Sequence, residues 1–408
     1  MRVSIGGALS VADDETASRC HDDELMGVAD GYRLISQMQS WAYENVVPLN
    51  ASIETTLRCN IRCQHCYNFD RDASKTPCAS DAEPELSADE ILKLMSDLRT
   101  AGCLFLSLTG GEVLMHPHLF SFLDHARELR LSVQLLSNGV LLRPGMAKRL
   151  ASYPNLLGVS VSIYGATPSV HDSITQVAGS WRRTWEGAER LRALGVSVRM
   201  KLIVMRQNAH EAAAMRAAAS DRGFAYLMDL TITSRHDGDA SSLATRVTHE
   251  QLEALYRGPL RDLVSRGAHP VTEKSFPCNC ARGNVAISAR GDVFPCISVP
   301  MKAGNVRRQP FAAIWAHSSV FRRIRELTIA DYSKCAPCPH QAHCSRDRGA
   351  AFNASGSYTG TDPFICATAE LAHSLANEGP TPSARSESTI PQDMTMKEAA
   401  DRMRVSGL

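Results

Sequence analysis

The chain has 408 residues, of which 44% are hydrophobic, and this is ample for one barrel-sized domain and a smaller second domain. Its formal net charge of +1 gives no electrostatic basis for a nucleic-acid partner, and no run of about eighteen apolar residues predicts a membrane span. We expect a cytoplasmic protein, because the first residues lack the basic-then-apolar order of a signal peptide.

Residues 1–48 are predicted to form an N-terminal extension with one helix over about Asp22–Tyr43, where apolar residues leave a loose stripe. Cys20, in this segment, has no other cysteine near it. Thirteen cysteines occur in the whole chain. A disulfide framework suits small secreted domains, so reduced, metal-binding cysteines are the better interpretation here.

Three cysteines follow the first predicted strand, Ala51–Leu57, in a C-x3-C-x2-C arrangement. They are Cys59, Cys63 and Cys66, and their thiolates can converge on one metal centre where the strand turns into a loop. A 4Fe–4S cluster normally takes four cysteines, so three leave one iron open to a small molecule. Zinc is an alternative, with His65 as a fourth ligand, although zinc sites favour C-x2-C pairs. Purely structural cysteines are a further alternative, but free cysteines usually occur singly.

This motif resembles the signature of the radical S-adenosylmethionine (SAM) superfamily, which is C-x3-C-x-aromatic-C or a close relative. His65 stands at the usual aromatic position, and Tyr67 follows the third cysteine and is counted here among the cofactor-binding residues. The resemblance implies that Cys59, Cys63 and Cys66 bind a 4Fe–4S cluster whose fourth iron is chelated by the amino and carboxylate groups of SAM. Reduction of the cluster would then cleave SAM to methionine and a 5′-deoxyadenosyl radical.

From Ala51 onward the sequence alternates strands with helices. Ser87 and Glu90 predict a capping box for the helix that follows a polar loop, Asp70–Glu85, which carries a lone Cys78. Short apolar runs predict six strands: Ala51–Leu57, Cys103–Leu108, Leu131–Ser137, Leu156–Ile163, Val196–Val204 and Phe224–Ile232. Apolar residues at helical spacing predict the later helices: His118–Leu129, Gly145–Ser152, Trp181–Leu194, Ala209–Arg222 and Gln251–Ser265.

Strands that alternate with helices imply right-handed βαβ units and a parallel sheet. Six units are too few to close an eight-fold barrel, so we predict an α/β fold with a partial, open (β/α)6 TIM-like barrel over residues 49–266. The family resemblance implies the same architecture over about Asn50–Arg266. Ligands of such sheets gather at the carboxyl ends of the strands.

Thr109-Gly110-Gly111-Glu112 comes directly after the second predicted strand. Two glycines let the backbone approach a ligand closely, and Glu112 can accept a hydrogen bond from a cation such as an amino group. A tight turn is the simpler interpretation of Gly-Gly-Glu alone. Its position one βα unit after the cysteine loop, however, matches the radical SAM motif, and the resemblance implies that it binds the amino group of SAM.

The third and fourth predicted strands end in hydroxyl and amide side chains that could hold a ribose or a carboxylate. These are Ser137 and Asn138 on the third strand and Ser162 on the fourth. Turn chemistry is an equal alternative for Asn138 with Gly139. The resemblance implies that Ser137 and Ser162 contact the ribose or carboxylate of SAM.

The fifth predicted strand offers charged and apolar side chains near the same edge of the sheet. Arg199 and Lys201 point to one face by alternation, and one of them is expected to reach the SAM carboxylate or the substrate. Met205 could line the adenine pocket, although a place in the core is the simpler interpretation.

A second field of cysteines begins after residue 277, and chance clustering does not explain its density. A hairpin is predicted from Asn284–Ile287 to Val293–Pro295, and it would bring Cys280 and Cys296 together. A four-cysteine zinc site with a C-x2-C pair is the alternative for the later cysteines. The field consists of Cys278, Cys280, Cys296, Cys335, Cys338, Cys344 and Cys366.

The spacing resembles the SPASM extension of peptide-modifying radical SAM enzymes, in which Gly-x4-Cys precedes C-x2-C-x5-C-x3-C and a last cysteine. Gly291-x4-Cys296 and the run from Cys335 to Cys344 match it, but Arg348 stands where the next cysteine is expected. The resemblance implies one auxiliary cluster with a full ligand set: Cys335, Cys338, Cys344 and Cys366.

A second auxiliary cluster stays open as an alternative, because its three cysteines lack a fourth thiol. It would need Asp347 or an outside molecule as its fourth ligand, or it would leave one iron open to substrate. Its ligands would be Cys278, Cys280 and Cys296. We predict a SPASM-type domain over residues 267–370 and a polar, flexible tail over 371–408 with a short helix at Met394–Met403.

The resemblance implies a radical SAM/SPASM enzyme that abstracts a hydrogen atom from an unactivated carbon, with electrons from a flavodoxin or a ferredoxin. A ribosomally made precursor peptide is the favoured substrate, with a thioether or carbon–carbon cross-link as product. A small molecule, including a porphyrin, is the alternative substrate. A non-catalytic iron–sulfur or zinc protein is the alternative from another class.

Overall fold

The computed structural model describes residues 23–68, 84–235, 239–266 and 278–378. The predictions on Cys20, on Cys78 and on the helix at Met394–Met403 lie outside the described residues. Helix α1 spans Asp23–Asn45, close to the predicted bounds. No helix within the described residues is long and apolar enough to cross a membrane.

Within the described ranges, a single sheet contains nine strands. In chain order they are Asn50–Glu54 (β1), Phe105–Thr109 (β2), Ser132–Ser137 (β3), Leu156–Ile163 (β4), Val198–Ile203 (β5), Ala225–Asp229 (β6), Asn284–Ile287 (β7), Asp292–Phe294 (β8) and Gly304–Asn305 (β9). The order across the sheet is β6-β5-β4-β3-β2-β1-β7-β8-β9. Neighbours from β1 to β6 are all parallel, so the predicted α/β fold with a (β/α)6 parallel sheet is confirmed.

Helices connect these strands and cover the sheet. Up to β6 they are Ala88–Thr100 (α2), Leu119–Glu128 (α3), Pro144–Ala151 (α4), Pro168–Thr175 (α5), Ser180–Ala193 (α6) and Ala212–Asp221 (α7). Beyond β6 they are His249–Arg257 (α8), Arg261–Arg266 (α9), Phe311–His317 (α10), Ser319–Glu326 (α11), Arg348–Ser355 (α12) and Pro363–Asn377 (α13). The predicted capping box of α2 is present, since Glu90 N donates to Ser87 Oγ at 3.2 Å and Ser87 N donates to Glu90 Oε2 at 2.7 Å.

Within the predicted barrel, residues 49–266, two helical segments differ from the predictions. Helix α5 is not among the predicted helices. The helix predicted over Gln251–Ser265 is two helices, α8 and α9, because Gly258 caps the first and Pro259 has no N–H to continue it.

The C-terminal hairpin joins the barrel sheet instead of standing apart from it. Strand β7 pairs in parallel with β1, Asn50 opposite Asn284 and Ile53 opposite Ile287, while β7 and β8 form the predicted antiparallel hairpin. Buried residues of both regions, such as Ile53 and Val293, belong to one core. Strand β1 therefore has a partner on each side and is shared by the two parts of the chain.

An ion pair ties helix α13 to the segment after β6. Arg246 donates from Nη1 and Nη2 to the two carboxylate oxygens of Asp362, at 3.1 and 2.7 Å, and the Asp362 side chain is fully buried. Asp362 also caps α13 by accepting from the N–H groups of Phe364 and Ile365. Because a buried carboxylate needs its partners, the position of α13 depends on Arg246.

Candidate functional site

The first cysteine group lies in the loop after β1, at the carboxyl end of the parallel sheet. Cys59, Cys63 and Cys66 are free thiols, and each is partly exposed. Two N–H groups of this loop, those of Arg62 and Gln64, donate to the carbonyl oxygens of the last two residues of α5, at 2.8 and 3.2 Å. A helix that was not predicted therefore fixes the position of the cysteine loop.

The Gly-Gly turn after β2 packs on the backbone that leads into the cysteine loop. Gly111 N donates to Thr56 O at 2.6 Å, and Gly110 has a φ of +136°, which residues with side chains rarely adopt. A methyl group on Gly111 would overlap the carbonyl oxygen of Arg58 and lie 2.6 Å from that of Leu57. The two glycines are thus needed for contact between the two turns.

Glu112, predicted to bind the amino group of SAM, is buried, and its carboxylate accepts hydrogen bonds from other residues of the chain. Its carboxylate accepts from Ser137 Oγ at 2.7 Å, from Asn138 N at 2.7 Å and from Leu114 N at 3.1 Å. Burial raises the pKa of Glu112, and these hydrogen bonds oppose that rise. Glu112 and Ser137 therefore join the ends of β2 and β3, and their contacts with SAM stay a prediction.

Asn138 connects the end of β3 to the first cysteine. Its Nδ2 donates to Asn60 Oδ1 at 2.8 Å and lies 3.8 Å from Cys59 Sγ, and its Oδ1 accepts from Val140 N at 3.0 Å. An amide donor directed at a thiol fits a sulfur that carries negative charge, as a cluster ligand does.

Two tyrosines stand beside the cysteine loop. Tyr67 donates to Glu54 Oε1 at 3.5 Å, and burial, followed by the charge of Glu54, holds the pKa of Tyr67 well above its usual range. Tyr164 was not predicted as a site residue, yet burial raises its pKa and it lies within hydrogen-bonding range of Ser162 and Cys63. An aromatic residue so soon after Ser162, at the end of a strand, is the signal that could have identified it.

Charged and apolar residues at the ends of β5 and β6 complete this edge of the sheet. Lys201 Nζ lies 3.3 Å from Asp229 Oδ2, and both charges act on His65, whose pKa burial lowers to about 4. Met205 is fully buried in a small apolar cluster against which Cys63 packs. The structure thus brings Lys201 and Met205 to the cysteine loop, and their contacts with SAM stay a prediction.

The second cysteine group lies at the amino end of β7, roughly 13 Å from the carboxyl end of β1 at the usual rise of a strand. The sulfur atoms of Cys278 and Cys280 are 3.2 Å apart, and Cys296 comes within hydrogen-bonding range of Cys280. Hydrogen bonding with Cys280 lowers the pKa of Cys278, whereas Cys278 and Cys296 hold the pKa of Cys280 well above its usual range. Three thiols therefore meet at one place.

The third cysteine group joins a loop to helix α13. Cys338 N donates to Cys335 O at 3.1 Å, and Arg346 N donates to Cys344 Sγ at 3.4 Å. Cys366 is in the first turn of α13, where burial and then the thiols of the loop raise its pKa. Cys366 therefore lies within electrostatic range of the other three thiols.

Buried donors without partners lie beside both C-terminal groups. Among the described residues, Arg348 Nη1 and Tyr358 Oη are buried without a hydrogen-bond partner near Cys278, and Arg346 Nη1 is in the same state near Cys344. Buried polar atoms are almost always paired, so acceptor-rich, anionic groups fit at these places. Iron–sulfur clusters are such groups. No three His, Cys, Asp or Glu side chains in the described ranges are arranged to hold a single metal ion.

A parallel α/β sheet with three cysteines after its first strand and two further thiol groups defines an iron–sulfur protein whose main site lies at the carboxyl edge of the sheet. Residues 53–218 match the radical SAM superfamily, and residues 278–339 match the iron–sulfur cluster-binding domain called SPASM. The chain belongs to the radical SAM superfamily and carries a C-terminal SPASM domain. It is a SAM-dependent enzyme whose cofactors are a 4Fe–4S cluster, SAM and auxiliary iron–sulfur clusters.

Similar proteins have several activities. The AdoMet-dependent heme synthase of Methanosarcina barkeri is 28% identical over 76% of this chain and 94% of its own length. The mycofactocin maturase MftC of Mycobacterium ulcerans is 28% identical over 83% of this chain and 93% of its own. The structure of Streptococcus suis SuiB bound to precursor peptide SuiA covers 88% of this chain and 84% of its own, with 16% identity and a TM-score of 0.59, and this likeness shows the fold alone.

Proposed function

We propose that this enzyme cross-links a ribosomally made peptide through a thioether or a carbon–carbon bond. MftC, a similar protein, is a maturase, and SuiB, which shares the fold, is solved with a precursor peptide. The maturase MftC and the SuiB complex with its precursor peptide support a peptide or a comparable small molecule as the substrate of this chain.

The observation that carries the proposal is the second thiol group on the strand next to β1. Closing a cross-link removes two hydrogen atoms from the substrate, and reductive cleavage of SAM at the first cluster supplies a 5′-deoxyadenosyl radical that takes one of them. The other leaves as a proton and an electron, and the electron needs an acceptor. Cys278, Cys280 and Cys296, which meet roughly 13 Å from the carboxyl end of β1, would hold that acceptor.

The side chains around the cysteine loop would bind and orient SAM. Since Ser137 donates a hydrogen bond to Glu112, we assign these two residues a positioning role: they hold the Gly-Gly turn that packs on the cysteine loop. Lys201, whose side chain is 38% exposed beside Asp229, is our candidate for the SAM carboxylate. Asn138 keeps its amide directed at the first thiol, and Met205 would close the apolar side of the pocket.

Anaerobic reconstitution tests this function. We expect about eight irons per chain, or roughly twelve if the second group also holds a cluster, and formation of 5′-deoxyadenosine that depends on dithionite. Cys63→Ala should abolish SAM cleavage. Cys338→Ala should keep some SAM cleavage and form no cross-linked product. Cys103→Ala is the control, because Cys103 is fully buried in the core and lies outside the three thiol groups.

The substrate assay uses short peptides encoded beside the gene, with a flavodoxin or a ferredoxin as the proposed electron donor. Loss of two hydrogen atoms from the peptide, seen by mass spectrometry and absent in Cys63→Ala, is the expected result. Intact clusters and SAM cleavage with no change in any such peptide would count against the peptide substrate.

A porphyrin is the second candidate substrate. The heme synthase of Methanosarcina barkeri matches the chain over 94% of its own length, and this coverage is the observation that favours it. Incubation of the reconstituted enzyme with a porphyrin decides between the two substrates. A SAM-dependent change in the mass of the porphyrin, in place of peptide modification, would support a role like that of the heme synthase.

A further inference from the structure

Arg348 begins helix α12 beside the second cysteine group, and its guanidinium is buried. The residue is 5% exposed, its Nε donates to Arg346 O at 3.0 Å, and its Nη1 has no hydrogen-bond partner among the described residues. Its Cζ lies 5.2 Å from the centre of the Tyr332 ring. Within the described ranges Arg348 forms no ion pair with a carboxylate. A buried cation in this state is costly unless an anion completes its surroundings.

Packing places the start of α12 directly against Cys296. A Cβ on Gly349 would overlap Ser298, so the two backbones are in close contact, and Ser298 Oγ lies 3.3 Å from Cys296 Sγ. The sulfur atoms of Cys278 and Cys280 are 3.2 Å apart, and Cys296 comes within hydrogen-bonding range of Cys280. Arg348, which precedes Gly349 in the chain, therefore begins α12 at the edge of this thiol group.

Asp347, the other candidate for a fourth ligand, is already engaged. Its Oδ1 accepts from Ala350 N at 3.0 Å and caps α12. Tyr358, another polar group near the thiols, is a neutral phenol because burial holds its pKa well above the usual range. Arg348 offers a free donor together with a permanent charge at this place.

We propose that Arg348 takes the place of a fourth thiolate: its guanidinium donates a hydrogen bond to a sulfur of an iron–sulfur cluster held by Cys278, Cys280 and Cys296. Arg348 is then a positioning residue that acts through the cluster. Net charge and hydrogen bonds to sulfur set the reduction potential of such clusters. One thiolate fewer and one cation more both favour the reduced form, so the potential is raised. A raised potential would suit the electron-acceptor role proposed above for this cluster. The role of Arg348 in the reaction therefore rests on that proposed function.

The test is a redox titration of the full-length, reconstituted protein, followed by electron paramagnetic resonance. Cys296→Ser identifies the signal of the second group, because that signal should disappear. Arg348→Gln should lower the equilibrium constant for reduction of this cluster at least tenfold, which is about 59 mV for one electron. Arg348→Lys keeps the positive charge but lacks the planar guanidinium with its several N–H donors. It should shift the reduction potential less than Arg348→Gln does. Arg290→Gln makes the same change of charge on an exposed turn of the hairpin and should shift nothing.

A direct measurement does not depend on the folding of any variant. In protein labelled with 15N-arginine, pulsed electron paramagnetic resonance of the reduced cluster should show a weak hyperfine coupling to the 15N nucleus, which is typical of a hydrogen bond. A strong coupling, typical of a nitrogen ligand on iron, or no coupling, would overturn the proposal. An unshifted potential in Arg348→Gln, or no loss of iron in Cys296→Ser, would also overturn it. None of these measurements needs a peptide, so a failed cross-linking assay would leave this proposal standing.

Discussion

At the residue scale, the two glycines after β2 have a packing role that precedes any contact with SAM. A Cβ on Gly110 would overlap the backbone of Thr56, and a Cβ on Gly111 would overlap the backbone of Leu57 and Arg58. The cysteine loop begins one residue later. A change in this turn should therefore act on the cluster through the backbone.

We predict that Gly111→Ala lowers stability by about 1–3 kcal/mol, the usual cost of overpacking, and reduces the iron held by the first group. Gly145→Ala is the matched control, because Gly145 lies in α4 with nothing within 4 Å of an added methyl group. Alanine there should be neutral or stabilise by up to about 1 kcal/mol. Thermal unfolding and iron analysis of both variants provide the measurement, and full iron in Gly111→Ala would contradict the expectation.

Glu112→Gln should also destabilise the site. The amide group would direct N–H donors at partners that are themselves donors, at a cost of about 1–3 kcal/mol. We expect a lower thermal midpoint and weaker SAM binding by equilibrium dialysis. Glu128→Gln is the control, since the Glu128 side chain is 72% exposed and should change neither quantity. An unchanged midpoint in Glu112→Gln would show that the carboxylate is not needed for position.

His171 predicts how stability depends on pH. Its Nδ1 accepts from Tyr164 N at 3.1 Å, and burial lowers its pKa to about 4 from 6.5. Between pH 6.5 and pH 4 the unfolded chain therefore binds a proton at His171 that the folded chain does not bind. The contribution of neutral His171 to the free energy of unfolding is present above pH 6.5 and is lost as the pH falls toward 4. The loss approaches about 1.36 kcal/mol per pH unit.

His171→Asn, whose Oδ1 can replace the Nδ1 acceptor, should weaken this pH dependence. Thermal midpoints of both proteins between about pH 7 and pH 5 provide the measurement. If the variant loses stability as steeply as the natural chain, other groups cause the effect.

Spacing in the sequence was enough to single out the cysteines as candidates, because most of them stand only a few residues apart in the chain. The partners of Glu112 could not be predicted in the same way. Its bonds to Ser137 and Asn138 depend on how β2 and β3 align, and a single sequence does not contain that register. For the same reason the contact of Tyr164 with Cys63 was missed.

At the scale of elements, α5 shows why a short helix can position a site and still escape prediction. Its sequence, Pro168–Thr175, has few apolar residues, so no stripe indicates a helix. Its contribution is made by two backbone carbonyls that hold the cysteine loop. The break between α8 and α9, unlike α5, could have been predicted from the sequence. Gly258-Pro259 is a typical helix-terminating pair, and the predicted helix was wrongly extended across it.

Helix α13 carries Cys366, and its attachment can be tested with two arginines. Arg246→Met leaves the carboxylate of Asp362 buried and unpaired, which typically costs about 3–5 kcal/mol. We expect faster hydrogen exchange in α13 and less iron at the third group. Arg257→Met is the control, because its pair with Glu378 at the end of α13 is exposed to solvent, and exposed ion pairs contribute little to stability. Equal effects of the two variants would contradict this view of α13.

At the scale of the whole molecule, strand β1 is paired on both sides, with β2 and with β7. A chain that ends at residue 266 would lack β7 and leave the edge of β1 open, and an unpaired edge of this kind favours aggregation. We expect such a chain to aggregate and to lose iron at the first group. A chain that ends at residue 378 keeps every described strand and is the control. Size-exclusion chromatography and iron analysis provide the measurement, and a monomeric shorter chain with full iron would show that the barrel does not need β7.

The parallel order of β1 to β6 followed from the alternation of strands and helices, since right-handed crossovers leave few other arrangements. The place of the C-terminal hairpin did not follow. Asn284–Ile287 is only four residues long, and its pairing with β1 joins segments more than 200 residues apart, a contact that local pattern does not encode. The sequence therefore predicted the parts of the site and left their arrangement open.

The position of the second cysteine group at the far end of β7 has a consequence for self-protection. Roughly 13 Å of strand separates this group from the carboxyl end of β1, which leads into the loop where a carbon radical is made. An electron can tunnel across such a gap, whereas a carbon atom cannot bond across it. Thiols are good radical traps, so this spacing insulates the enzyme's own sulfurs from alkylation while leaving them within reach of the electron that the substrate gives up.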